Sequence, residues 1–197
     1  MAYEVGASEV KYDGAIIRVR ADTVAQPDGT QAEREVVEHT GSVAVVAVDD
    51  ARRVLLIRQY RHPAGQYLWE LPAGLCDHDG EDPLATARRE LAEETGWTAA
   101  DWSTLVDVYP SPGISTERCR VYQARELRRG AAPSRLQDEE ADLQQRWTPL
   151  AEAVFEVLSG HITSGLAVAG LLAAAVRHGM RENRHRPGRA VWPTPRD

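Results

Sequence analysis

Cysteine is nearly missing from this chain: Cys76 and Cys119 are the only two in 197 residues. They make neither a metal-ligand spacing nor a disulfide framework, which excludes zinc-stapled and disulfide-stapled scaffolds and points to the reducing cytoplasm. Long apolar runs are missing too. Hydrophobic residues reach 43%, yet no stretch approaches the ~20 residues that span a bilayer. The opening MAYEVGASEVKYDG carries acidic residues and no apolar core, so no secretory signal and no membrane association are expected. Lysine is reduced to Lys11; the other members of the Lys+Arg class are arginines, planar forks suited to phosphate. A formal net charge of −7 argues against nonspecific nucleic-acid binding. The Gly-x-x-x-x-Gly-Lys phosphate loop is absent, and so is any internal repeat.

What is present fits one domain with a possible appendage, long enough to bury an ordinary core. Residues 15–23 and 33–38 read as strands joined by the turn Pro27-Asp28-Gly29. The apolar run 42–48 and the run 54–60, separated by Asp49-Asp50-Ala51-Arg52, suggest a hairpin. Residues 103–109, 119–124 and 143–148 look like further strands, and 150–160 and 164–180 like helices. The order implies an α/β body, with helices on both faces of a sheet, behind a strand-rich N-terminal segment. Residues 181–197 show no periodicity and read as a loosely ordered tail.

The chemistry concentrates in GLCDHDGEDPLATARRELAEETGW, residues 74–97. Asp82 and Pro83 suit a helix N-cap and first position, and Gly96 suits the stop. Leu84, Ala87 and Leu91 form one apolar stripe. Glu90, Glu93 and Glu94 share a helical face, where Arg89 can steady Glu93. Three carboxylates on one face repel one another unless a divalent cation sits among them. Their hard oxygens suit Mg²⁺ or Mn²⁺. Three glutamates alone would more simply be a solvated acidic helix. The glycines, Arg89 and Glu81 at fixed spacing outweigh that reading.

Gly74, Glu81 and the run Arg89-Glu90-Leu91-Ala92-Glu93-Glu94-Thr95-Gly96 resemble the signature of the Nudix hydrolases, which cleave a nucleoside diphosphate linked to another group. Six residues rather than the usual five separate Gly74 from Glu81, an addition that falls in the loop before the helix. The resemblance implies a Nudix α/β/α sandwich with a mixed sheet over residues 41–180, preceded by a small N-terminal antiparallel β-sheet in residues 1–40. It also implies two or three Mg²⁺ (or Mn²⁺) ions held by Glu90 and Glu94, with Glu93 and the backbone carbonyl of Ala73.

RQYRHPAGQYLWELPAG, residues 58–74, resembles the equivalent stretch of the ADP-ribose pyrophosphatase subgroup. There the arginine matching Arg61 contacts the substrate, and the glutamate matching Glu70 lies by substrate and metals. Arg58 could hold a diphosphate as a bidentate fork, or be a surface arginine. Pro112, sixteen residues after Gly96, matches a further marker of the subgroup, although it also suits a turn. The acidic run 138–142 would ordinarily be a solvated loop. Related pyrophosphatases carry a water-activating glutamate on the corresponding loop, for which Glu140 is the first choice and Glu139 the second.

The resemblance implies metal-dependent hydrolysis of ADP-ribose to AMP and ribose 5-phosphate by a homodimer whose N-terminal strands pair across the two-fold and help build the adenine site. Arg89 and Glu93 count with the catalytic set. Tyr12, Tyr60 and Trp69 could stack on adenine, or be packing. His39, His62, His78 and His161 have no nucleophile partner at recognisable spacing. The alternatives are another nucleotide sugar or dinucleotide as substrate and, from a different class, a module that senses ADP-ribose without cleaving it. A sensing module should lack the signature carboxylates, all of which are present.

Overall fold

In the computed structural model, which describes residues 3–78, 80–130, 143–179 and 186–188, the first three strands make a sheet of their own. Glu4–Asp13 (β1), Arg18–Ala25 (β2) and Gln31–Glu38 (β3) pair antiparallel in that order. The turn between β2 and β3 falls where Pro27-Asp28-Gly29 predicts it. Gly29 adopts φ 82°, and the Asp28 carboxylate accepts from the Thr30 N–H at 3.0 Å. β1 is not anticipated by the sequence. Every one of its residues is exposed, so it has no buried face to impose an alternation.

The body follows as Ser42–Ala47 (β4), Arg53–Arg61 (β5), Gln66–Glu70 (β6), Ala73–Leu75 (β7), Pro83–Thr95 (α1), Trp97–Val108 (β8), Cys119–Arg129 (β9), Gln144–Pro149 (β10), Leu150–Leu158 (α2), Gly165–Gly179 (α3) and Arg186–Pro187 (β11). The larger sheet has the order β11-β8-β9-β4-β7 and is mixed: β4 runs parallel to β9, and the other neighbours are antiparallel. A second, antiparallel sheet has the order β10-β5-β6.

The predicted hairpin between 42–48 and 54–60 does not form. The turn is there, with the Asp49 carboxylate accepting from the Arg53 N–H at 2.8 Å and Arg52 at φ 57°. Only the bridge Val48↔Val54 joins the two runs, which then part into different sheets. β4 is buried along its whole length. Such a strand needs a neighbour on each edge, and β9 and β7 supply them.

β4 also divides the core. Val43, Val45 and Ala47 pack with Leu84, Ala87 and Leu91 of α1. Ala44, Val46 and Val48 pack with Leu150 and Ala153 of α2 and Ala167, Leu171 and Ala174 of α3. The fold is therefore an α/β/α sandwich. Burying a leucine such as Leu91, which is 0% exposed, contributes roughly 1.5–3 kcal/mol. Helix α3 sits close because Gly170 has no side chain: a Cβ there would meet Leu71 Cδ1 at 2.7 Å.

Two attachments complete the molecule. The N-terminal sheet is tied to the segment between β8 and β9, Val37 N–H donating to the Ile114 carbonyl (2.8 Å) and Thr116 N–H to the Val37 carbonyl (2.9 Å). Within the stretch read as a loose tail, Arg186–Pro187 instead pairs with β8. Arg186 reaches Asp107 at 2.7 Å, and Asp107 also binds Arg120 at 2.7 Å. Burial works against the Asp107 carboxylate, but the two arginines outweigh it and lower its pKa. Among the described residues no helix is long and apolar enough to cross a membrane.

Candidate active site

The caps of α1 follow the sequence. The Asp82 side chain accepts from the Leu84 N–H at 3.3 Å, Pro83 takes the first turn, and Gly96 closes the helix at φ 70°. With Leu84, Ala87 and Leu91 turned into the core, Glu90 and Glu94 are left on the side that faces β7. They line a cleft of about 530 Å³ together with Ala73, Gly74, Gln59 and Arg61.

Glu94 is 3% exposed. Its Oε2 accepts from the main-chain N–H of Ala73 at 2.9 Å, which fixes the carboxylate against β7. Glu90 lies over Gly74 so closely that a Cβ at position 74 would overlap its carboxyl group. Arg89 ties the acidic groups together, with Nη1 at 2.7 Å from Glu90 and 3.0 Å from Glu93, and Nη2 at 3.2 Å from Glu81. Burial disfavours the charged guanidinium, but the hydrogen bond to Glu81 and the neighbouring carboxylates outweigh it and raise the Arg89 pKa. The same hydrogen bond lowers the pKa of Glu81.

Glu93 does not point into the cleft. Its side chain is 50% exposed and turned to Arg89. Consequently, among the described residues no three acidic, histidine or cysteine side chains converge on one metal-sized point. Glu90 and Glu94, lining the cleft beside Ala73 and Gly74, offer hard carboxylate oxygens. That set fits Mg²⁺ or Mn²⁺ and suits zinc poorly.

Arg61 lines the same cleft as the carboxylates. Its Nε donates to Oε2 of Glu70 at 2.9 Å, its Nη2 lies 2.8 Å from that oxygen, and Gln59 Nε2 donates to the same oxygen at 3.2 Å. Glu70 is buried behind the arginine. Nη1 and the second hydrogen of Nη2 remain for an anion in the cleft. Arg58, on the opposite face of β5, does not line the cleft. Its guanidinium stacks over Tyr67 at 5.0 Å and lies near Trp69 at 6.0 Å. Pro112 sits in the exposed turn between β8 and β9, and it too is absent from the cleft wall. Glu139 and Glu140 lie outside the described residues.

Gln59 and Asp77 are polar cleft residues that escape the sequence reading. So are Ser42 and Glu117, with Ser42 Oγ donating to Glu117 Oε1 at 3.1 Å. They meet because β4 and β9 start side by side in parallel, a pairing that no local pattern announces. His78, which has no nucleophile partner at recognisable spacing in the sequence, also lines the cleft and stands 3.6 Å from Glu81. The cysteines are free thiols. Burial raises Cys76 and pushes Cys119 up to about 12, so neither is poised as a nucleophile.

A profile described as "NUDIX domain" matches residues 38–164, and one described as "Nucleoside diphosphate sugar hydrolase N-terminal domain" matches residues 4–37. The chain is 48% identical over 183 residues to an ADP-ribose pyrophosphatase of Mycobacterium tuberculosis, covering 92% of this chain and 88% of that protein. It is 40% identical over 121 residues to an ADP-ribose pyrophosphatase of Bacillus subtilis, covering 61% of this chain and 65% of that protein. A crystal structure of an ADP compounds hydrolase superposes with a TM-score of 0.77 at 22% identity, covering 91% of this chain and 96% of that one.

Proposed function

Since this chain belongs to the Nudix hydrolase family, we propose that it hydrolyses the diphosphate of ADP-ribose, with one water consumed, to AMP and ribose 5-phosphate. The observation that carries the proposal is the pairing of Arg61 with Glu90 and Glu94 in one cleft. An arginine with free donors binds a diphosphate. Two clustered carboxylates in the same cleft would otherwise repel that anion. Both make sense if the carboxylates hold divalent metal.

Glu90, Glu94 and the Ala73 carbonyl, with Glu93 at the rim, would hold two or three Mg²⁺ (or Mn²⁺) ions. Held by these residues, such ions would offset charge building on the phosphates and would make the attacking water more acidic. Arg61 orients the diphosphate and neutralises part of its charge. Glu70 and Gln59 stand behind Arg61 and fix its plane. Arg89 holds Glu90 and Glu93 in place, and Gly74 leaves the room that Glu90 fills. Glu140, or Glu139, would take the proton of the attacking water. Arg58 and Pro112 are given no contact with the diphosphate.

The protein would work in the cytoplasm as a homodimer. β1 supports this: its Val5, Val10 and Tyr12 are more than half exposed, a cost relieved when a second copy covers them. A two-fold pair is the commonest soluble assembly.

A second reading is favoured by the N-terminal match to nucleoside diphosphate sugar hydrolases: the preferred substrate would be another nucleotide sugar. One assay separates the two. ADP-ribose, ADP-glucose, GDP-mannose and a dinucleoside diphosphate are each incubated with Mg²⁺ or Mn²⁺, and products are resolved by chromatography. The ADP-ribose reading requires that substrate to have the highest kcat/KM and to yield AMP. No turnover of any diphosphate would end both readings.

A further inference from the structure

Gln145, near the start of β10, reaches across to the helix that carries the carboxylates. Its Nε2 donates to the main-chain carbonyl of Glu94 at 2.9 Å. That carbonyl is among the last four of α1, which have no acceptor role inside the helix. The same residue is held again through its side chain by the Ala73 N–H. Glu94 is thus fixed at both ends by groups from outside α1. The strand behind Gln145 matters as well. β10 pairs with β5, with Gln145 opposite Ile57, and β5 carries Arg61. One side-chain hydrogen bond therefore joins the sheet bearing the arginine to the helix bearing the carboxylates. The end of β9 makes a parallel tie, Gly130 N–H donating to the Gly96 carbonyl at 2.9 Å.

We propose that Gln145 is a positioning residue for the cleft: by holding the main chain of Glu94 it sets the place of that carboxylate relative to Ala73 and Arg61, without itself lining the cleft. The proposal rests on the reading of Glu94 as a metal ligand. A helix end that is free to shift would leave the carboxylate intact but displaced. The loss should therefore appear in metal affinity, and not only in stability.

The test is Mn²⁺ binding to the metal-free protein, followed by the paramagnetic resonance of free Mn²⁺, with thermal unfolding measured alongside. Gln145→Met keeps the length of the side chain and removes the donor. It should weaken Mn²⁺ binding about 2- to 10-fold, the scale of one lost hydrogen bond. Gln145→Lys restores a donor suited to a helix C-terminus and should recover the affinity. Wild-type Mn²⁺ affinity in Gln145→Met overturns the proposal, whatever happens to Tm. Failure of Gln145→Lys to recover the affinity overturns it too. Glu94→Gln is run in parallel: wild-type Mn²⁺ affinity in that variant would show instead that the ligand reading, the premise, is what failed.

Discussion

The carboxyl group of Glu90 fills the space that a side chain at Gly74 would need. Gly74→Ala must therefore displace Glu90 or the β7 backbone, at a cost of about 1–3 kcal/mol for overpacking. Activity should fall with it, because the displaced group is a proposed ligand. Removing the clash from the other side separates the two effects. Glu90→Ala in the Gly74→Ala background should return Tm toward wild type while activity stays low. A double variant that remains as unstable as Gly74→Ala would place the conflict elsewhere.

Two glutamates should fail differently. Glu94→Gln keeps shape and removes charge from the metal cluster, so metal affinity drops and added Mn²⁺ partly recovers the rate. Glu140→Gln should leave Mn²⁺ and ADP-ribose binding near wild type while lowering kcat about 10²–10⁴-fold, the range for a general base. If Glu139→Gln is the inactive one, the register moves by one residue and the mechanism stands. Wild-type turnover in both variants would take the base off this segment. EDTA should abolish activity and Mg²⁺ restore it; full turnover in chelator would remove the metal reading altogether.

Sedimentation should show a dimer at micromolar concentration, and removal of residues 1–40 should yield a monomer that binds ADP-ribose poorly. The exposed apolar residues of β1 are the reason. A fully active monomer would contradict both the assembly and the role of that sheet.

His178 should make the fold sensitive to mild acid. Gln123 Oε1 accepts from Arg177 at 2.9 Å, so its Nε2 donates to His178 Nε2 at 3.1 Å and the imidazole proton sits on Nδ1. Burial, then Arg125, Arg52 and Arg177, lower its pKa from 6.5. The unfolded chain then binds the proton more readily than the folded one. Stability is full above about pH 6.5 and is lost as pH falls toward the folded value. His178→Gln should flatten the change in Tm between pH 7.5 and 5.5. An unchanged slope would assign the acid sensitivity to other groups.

Helix α1 and its chemistry are legible in the sequence because everything that specifies them is local. Asp82, Pro83 and Gly96 fix the ends, and the 3.6-residue period assigns Leu91 to the core and Glu90 and Glu94 to the cleft. Glu93 shows the limit of that argument, since one helical face is broad enough for Arg89 to draw it to the rim. Arg58 and Arg61 could have been separated from the start. They stand three apart on a strand, an odd interval that puts them on opposite faces. Glu117 could not have been found, because only the parallel pairing of β9 with β4 brings it to the cleft. The mistaken hairpin has the same origin: a good turn at 49–52 says nothing about which edges a fully buried strand will choose.

The parting of β4 and β5 after the Val48↔Val54 bridge puts the two halves of the cleft on different sheets. Glu90 and Glu94 stand on α1, which packs against the β4 sheet, whereas Arg61 stands on the β5 sheet, and Gln145 ties the second to the first. Under the proposed assignment, a substitution in β5–β6 that leaves Gln145 in place should change the hold on the diphosphate more than the hold on metal.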